Sequence, residues 1–357
     1  MIHEIQATDY RIEVGSLIDS SFVSLLTETY ANSKKIILVD ENTHDACLEY
    51  LLTAFDGLED AEVMLLPAGE ENKVMEVCFQ VWEAMSEYGI GRRDLIINLG
   101  GGVVTDMGGF IASIFKRGVD FINIPTSLLG MVDASVGGKT AIDMGMYKNQ
   151  LGVFANPKRV FIDLGFLNTL PSMELNNGYA EMLKHGLIVD KKHWNNIKNL
   201  HPREDQWNSK WIIESIEIKN EIVLADPLEK NVRKKLNFGH TFGHAFEGMS
   251  LGWENPIKHG HAVALGMLAE AFISKERKML STESFDEIKA TIIHSFEILN
   301  FSEEIVIPLF ELMQNDKKNF DQKIKCVLLT EIGVSKIDQE IEESDVLKVI
   351  QFFDSLN

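Results

Sequence analysis

Four of the chain's ten histidines, His240, His244, His259 and His261, fall within 22 residues, in the segments NFGHTFGH and HGH. Histidine at that density suits a metal site or an acid/base site, because imidazole ligates borderline metals and titrates near neutrality. His240 and His244 are four residues apart and share one helix face, while His259 and His261 open a second amphipathic segment, HAVALGMLAEAF, that can fold back beside the first. The two helix starts then converge. Glu181 offers a carboxylate three residues before Lys184 in YAEMLKHGLI, flanked by Met182, Leu183, Leu187 and Ile188. On a surface this would be an i,i+3 ion pair worth roughly a few tenths of a kcal/mol. On a buried face an unpartnered carboxylate is too costly, and a metal ion would satisfy it. Two histidines and one carboxylate with open positions make a catalytic zinc set. Glu181, His240 and a later histidine could supply it, and spacing fits His240 with His244 as well as His240 with His259.

Two further groups of residues carry possible chemistry. The segment 125–156, PTSLLGMVDASVGGKTAIDMGMYKNQLGVFAN, spreads Asp133, Lys139, Lys148 and Asn149 among glycines in a loop or hairpin, and Lys219, Arg233 and Asn237 lead into the histidine cluster. Lysines on a glycine-rich framework suggest an anion clamp, although a single lysine is more often a solvated surface group. The segment 94–110, DLIINLGGGVVTDMGGF, reads as a buried strand, three glycines and a helix start, an arrangement that lets backbone amides approach a pyrophosphate. It lacks the GxGxxG spacing and follows the third strand rather than the first, so a ligand-free tight turn fits it about as well. Asp40 ends the first strong strand, where a carboxylate accepts both ribose hydroxyls of an adenosine and favours NAD over NADP. The plainer alternative is that Asp40 begins a polar loop and Asn42 or Thr43 caps the next helix.

The elements that must position these groups fall into two halves. Short apolar runs at 36–40, 62–70, 95–102, 121–127 and 160–163 alternate with helical patterns, which predicts a Rossmann-like α/β domain with a mostly parallel sheet over residues 1–164. Residues 165–357 then read as mainly helical, with helices near 172–190, 205–225, 238–250, 259–278, 283–298 and 303–315. A strand pair, KIKCVLLT and GVSKI, and a closing helix near 343–354 complete it. With 357 residues, 45% hydrophobic and 25% charged, the chain is long enough for two cores. The formal charge of −20 argues against nucleic-acid or anionic-membrane partners. No apolar run has the length of a membrane span and no signal-peptide layout is present, so a cytoplasmic location is expected. Cys47, Cys78 and Cys326 are few, odd in number and never spaced CxxC, and core packing is expected for all three.

Taken together the motifs LGGGVVTDMGGF, KRGVDFINIPTSLLGMVDASVGGKTAID, KNQLGVF, EMLKHGLI, RKKLNFGHTFGH and HGHAVALGM, in this order over about residues 36–335, resemble the 3-dehydroquinate synthase family of sugar-phosphate cyclases. The resemblance implies an NAD-binding α/β domain followed by a helical domain carrying a divalent metal, zinc or cobalt, in a homodimer. It implies Glu181, His240 and His259 as metal ligands. Cofactor contacts are implied at Asp40, Asn42, Glu70, Lys73, Gly101, Gly102, Val103, Asp106, Thr126, Ser127, Asp133, Lys139, Lys148, Thr169 and Leu170. The substrate pocket is implied to use Arg117, Asp133, Lys139, Lys148, Asn149, Lys184, Lys219, Arg233, Asn237 and His244, with Arg117 reaching across the dimer and either Lys317 or Lys318 joining. The implied reaction is a shikimate-pathway step, conversion of the sugar phosphate 3-deoxy-D-arabino-heptulosonate 7-phosphate to 3-dehydroquinate. It proceeds by transient NAD-dependent oxidation, phosphate elimination, re-reduction and intramolecular aldol closure. Rival readings are another cyclase of the deoxy-inosose or valiolone type, a metal-dependent polyol dehydrogenase of the glycerol dehydrogenase type, and a non-catalytic nucleotide or metal sensor. Three residues depart from the family pattern: His261, where an acidic residue commonly follows HG; Tyr147, where glycine usually precedes KN; and Pro227, where an acidic pair is common.

Overall fold

The computed structural model describes residues 1–145, 147–202, 207–316 and 323–356. Two compact units divide the chain, Met1–Leu175 and Asn176–Asn357.

Among its described residues the first unit holds nine strands, β1 His3–Gln6, β2 Arg11–Val14, β3 Lys35–Asp40, β4 Glu62–Leu66, β5 Leu95–Gly100, β6 Asp120–Pro125, β7 Lys139–Met144, β8 Tyr147–Phe154 and β9 Arg159–Ile162. Seven of them form one sheet in the order β1-β2-β9-β6-β5-β3-β4. Only the β1–β2 pair is antiparallel; the other five pairings are parallel. The runs IILVD, LIINLG and FINIP are buried almost throughout, as strands covered on both faces must be. Helices α1 Met75–Glu87 and α2 Gly102–Ile114 supply one cover, and Met85, Met107, Phe110 and Ile111 pack on Ile36, Leu38 and Ile96. All five strands expected from apolar runs are present. β1 and β2 are additional, since four residues of HEIQ or RIEV are too few to register as a pattern. The glycine-rich segment 125–156 resolves into the antiparallel hairpin β7–β8. Cys47 and Cys78, and Cys326 in the second unit, are buried and form no disulfide among the described residues.

The second unit is mainly helical: α3 Ser172–Val189, α4 Lys191–Ile197, α5 Ser209–Ala225, α6 His240–Ser250, α7 His259–Glu276, α8 Thr282–Ser295, α9 Val306–Asp316 and α10 Glu343–Asp354, with the hairpin β10 Ile324–Glu331 and β11 Val334–Ile341. The first turn of α3 precedes the division between units. α5 begins later than the expected 205 because Asn208 caps it, accepting the Lys210 amide at 2.9 Å. No helix among the described residues is long and apolar enough to cross a membrane.

α6 and α7 pack with their backbones almost touching. A Cβ built on Gly266 would lie 1.9 Å from the Gly239 carbonyl oxygen, and one on Gly243 would lie 3.0 Å from that of Ala262. Gly239 itself has φ +80°, a left-handed turn that admits the chain into α6. This approach sets His240 and His259, the first residues of the two helices, beside each other, with ring centroids 5.5 Å apart. Gly266→Ala is therefore expected to destabilise the second unit by at least the roughly 1–3 kcal/mol typical of overpacking. Urea denaturation checks this, and an unchanged midpoint would refute the close-packing argument.

Candidate metal centre and charged groups

Glu181 lies on α3 with its side chain fully buried. Neither of its carboxylate oxygens accepts a hydrogen bond among the described residues. The ammonium of Lys184, one turn along the same helix and equally buried, is held against Oε2 as an ion pair. Oε1 instead faces Nε2 of His240 at 3.7 Å and Nε2 of His259 at 3.8 Å. Ligand atoms from these three residues all lie within 4.8 Å of one another. Ligands at about 2.0–2.2 Å from a tetrahedral zinc stand a little over 3 Å apart, so a small inward movement would complete such a set. Both rings turn their other nitrogen elsewhere: Nδ1 of His240 pairs with the Phe238 carbonyl and Nδ1 of His259 with Glu247, each at 3.3 Å. The positive ends of α6 and α7 also favour a carboxylate at this point. The donor set, two imidazoles and a buried carboxylate short of hydrogen bonds, fits a divalent metal with positions left for substrate oxygens.

His244 is half-buried one turn into α6, its ring 5.2 Å from that of His240 and 5.8 Å from that of His259. His261 points away, pairing Nε2 with the Glu297 carbonyl at 2.7 Å. The surface-pair reading of Glu181 and Lys184 is overturned, because both side chains sit inside the helical packing. Lys219 is buried on α5, and Arg233 is buried in the turn Val232–Asn237, which packs against α5. Asp226 braces that turn: its carboxylate accepts the amides of Lys230, Asn231 and Arg233 at 3.0, 2.6 and 3.1 Å. Burial opposes ionisation at Asp226, but these amides and the Arg233 guanidinium outweigh it and hold its carboxyl below the ordinary carboxylate value. The stability this contributes is present above the unfolded-state pKa and is lost as pH falls through the depressed value. The carbonyl of Pro227 accepts from Arg233 Nη1 at 2.6 Å, so proline at this position leaves the brace intact. Asn237 donates to Glu229 at 2.7 Å. Lys317 and Lys318 lie outside the described residues.

In the first unit a second charged cluster ties the β7–β8 hairpin to α2. Lys73 is almost wholly buried and donates to Asp106 Oδ2 at 2.7 Å and to Asn149 Oδ1 at 2.8 Å. Asp143 donates its amide to the Lys73 carbonyl at 2.7 Å and accepts the Asn149 amide at 2.6 Å, while Lys148 pairs with Glu70 at 3.6 Å. Burial works against the Lys73 ammonium, but Asp106 and Glu70 outweigh it and raise its pKa. Burial pushes the Asp106 carboxyl up, against the pull of Lys73. Asn149 has φ +53°, a conformation this network holds in place. Lys139 is exposed at the start of β7, and Asp133 is half-buried in the turn Gly130–Ala134.

The glycine turn leads to α2 through Gly101, an N-cap with no side chain to take the first amides, so no side-chain cap covers the helix-start N–H groups of Gly102 and Val103. Thr126 and Ser127 pack beside it; the Thr126 amide bonds to the Gly100 carbonyl at 3.0 Å, and a Cβ on Gly101 would lie 3.2 Å from Ser127 Oγ. Asp40 is itself the helix cap, where the alternative reading placed Asn42 or Thr43. Its Oδ1 accepts the Thr43 amide and hydroxyl, both at 2.8 Å, in a capping box. Asn42 is exposed in the following turn, and Thr169 and Leu170 close a 3-10 turn begun at Asp163. Lys116 and Arg117 both have positive φ, +49° and +67°, which presents the exposed Arg117 on a strained turn. Asp143, Asp226 and Glu247 had not been singled out from the sequence. Only Glu247 carried a signal, one turn beyond His244 on the same helix face.

Two family models match in tandem: 3-dehydroquinate synthase N-terminal over residues 63–177 and 3-dehydroquinate synthase C-terminal over residues 178–319. The chain is 39% identical to the 3-dehydroquinate synthase of Parabacteroides distasonis over 322 residues, 90% of this chain and 91% of that protein. Against the Helicobacter pylori enzyme of the same name the identity is 36% over 332 residues, 92% and 95% of the two chains. Among solved structures it superposes on the valiolone synthase ValA of Streptomyces hygroscopicus, which holds NAD+ and Zn2+, with TM-score 0.86 at 24% identity over 100% of both chains. A 2-deoxy-scyllo-inosose synthase with carbaglucose-6-phosphate, NAD+ and Co2+ superposes with TM-score 0.81 at 21% identity over 99% of both. At these identities the two structures establish the shared fold.

Lys73→Met is expected to destabilise the first unit by about 2–4 kcal/mol, because it strands the Asp106 carboxylate. Asp106→Asn in the same chain is expected to restore part of that loss, and a double-mutant cycle from denaturation midpoints reads the coupling. Additive effects would show that the pair is not coupled.

Proposed function

The chain belongs to the 3-dehydroquinate synthase family, and from that premise we propose that it converts 3-deoxy-D-arabino-heptulosonate 7-phosphate to 3-dehydroquinate and phosphate, using NAD and a divalent metal, zinc or cobalt. The observation that carries the proposal is the buried Glu181 carboxylate with two histidine Nε2 atoms within 4 Å of it. Glu181, His240 and His259 would hold the metal. Residues 1–164 would form the NAD-binding domain and residues 165–357 the metal- and substrate-binding domain. When bound, NAD takes and returns a hydride and the metal polarises substrate oxygens.

The chain's own groups supply binding, orientation and proton handling. Gly101, Gly102 and Val103 would meet the pyrophosphate with backbone amides, with Thr126 and Ser127 beside them. Asp40 has Oδ1 committed to its cap, which leaves Oδ2 for a ribose hydroxyl. Asn42, Glu70, Lys73, Asp106, Asp133, Lys139, Lys148, Thr169 and Leu170 complete the cofactor assignment. Lys73 would act there by fixing strand β8, which carries Lys148 and Asn149. Lys219 and Arg233 are cations held in an acidic chain, and the substrate carries two anionic groups for such cations to bind. Asn237 would be aimed by Glu229, and Lys184 would steady the carboxylate of Glu181. His244 adjoins both ligand rings and would accept the proton of the substrate hydroxyl at a ring nitrogen. We assign the exposed Arg117 to the substrate site of a second subunit in a cytoplasmic homodimer.

The test supplies the heptulosonate phosphate with a trace of NAD and Zn2+ or Co2+ and follows phosphate and NADH absorbance together. Stoichiometric phosphate without lasting NADH is expected; lasting NADH would indicate a polyol dehydrogenase, and neither signal would exclude both. Glu181→Gln is expected to lower turnover by more than the about 10- to 100-fold of outer-shell changes and to remove bound metal with it.

A further inference from the structure

We propose that Glu247 on α6 and Glu270 on α7 are positioning residues for the two ligand histidines, each helix holding the imidazole that the other carries. The proposal rests on the metal reading of Glu181, His240 and His259. Glu247 reaches from α6 to the first residue of α7, where its Oε2 pairs with Nδ1 of His259 at 3.3 Å. Glu270 reaches back from α7 to the turn entering α6, where its Oε2 accepts the Gly239 amide at 2.9 Å. Neither carboxylate has much contact with water, Glu247 being 5% exposed and Glu270 0%. Burying two such groups is costly, so their retention calls for hydrogen bonds of this kind.

Each contact determines which nitrogen faces Glu181. A carboxylate on Nδ1 of His259 holds the proton there and leaves the lone pair on Nε2, the atom 3.8 Å from Glu181 Oε1. For His240 the control passes through one peptide unit. The N–H of the Phe238–Gly239 peptide donates to Glu270, and its C=O, at the opposite edge of the same plane, pairs with Nδ1 of His240 at 3.3 Å. Because the peptide is planar, fixing its N–H fixes its C=O, and the imidazole follows. Gly239 has no Cβ, so at φ +80° no side chain of its own restrains this plane. Glu270 sets it instead.

The test uses the full chain stripped of metal and titrated with Co2+, reading affinity by chelator competition and geometry by the visible d–d bands. Glu247→Ala is expected to weaken Co2+ binding about 10- to 100-fold and shift the bands, with Glu247→Gln, which keeps an acceptor, recovering most of the affinity. Glu270→Ala is expected to lower affinity and Glu270→Gln to restore it. Should an alanine variant fail to fold, Glu247→Asp and Glu270→Asp, whose carboxylates are drawn back by one methylene, are expected to show weakened binding and altered bands. Folded variants with wild-type affinity and bands would overturn the proposal. Absence of Co2+ uptake by the wild type, or uptake unaffected by Glu181→Gln, would instead overturn the metal site itself.

Discussion

The contact between the backbones of α6 and α7 governs the arrangement of the second unit. Gly266 passes under the Gly239 carbonyl with no room for a side chain, and Gly243 crosses Ala262 nearly as closely. Helices separated by ordinary side chains stand about 8–10 Å apart, and their first residues would then diverge. At glycine separation both helix starts deliver a histidine to one place, and both dipoles direct positive potential at the buried carboxylate of Glu181. The same closeness brings Glu247 within reach of His259 and Glu270 within reach of Gly239.

Around this contact the chain buries charge in a consistent way, with each buried ion held by a partner placed by a different constraint. Lys184 meets Glu181 by helix spacing, Arg233 is held by a turn that Asp226 organises, and Lys73 meets Asp106 and Asn149 through the register of a hairpin. Such pairs add little net stability, since desolvation consumes most of the attraction, yet removing one member is expensive. They are better understood as fixing the positions of functional groups. In a chain with a formal charge of −20, Lys184, Lys219 and Arg233 are cations buried within the second unit.

How much was legible in the sequence depended on the range of the interaction concerned. The parallel sheet and the helical second half follow from periodicity and chain order, because burial on both faces of a strand or on one face of a helix imposes a local pattern. Glu181 was legible as a chemical candidate, but the surface and buried readings of its pair with Lys184 share one spacing, and only packing excludes the first. The choice of Asp40 over Asn42 or Thr43 as helix cap is not legible in the sequence, since Asp, Asn and Thr are all good caps and the strand end decides among them.

The sequence alone determined the fold class, the family motifs and the set of side chains capable of metal and anion chemistry, because these depend on composition and near-neighbour spacing. Tertiary structure decided which imidazoles turn toward Glu181, since His259 and His261 are two residues apart and their ring directions depend on Glu247 and on the Glu297 carbonyl, which come from other segments. It also decided that Lys73, Asp143 and Asn149 form one network, across a separation of 76 residues between Lys73 and Asn149. Hydrogen bonds of that range leave no periodic trace in a chain and exist only once the packing is complete.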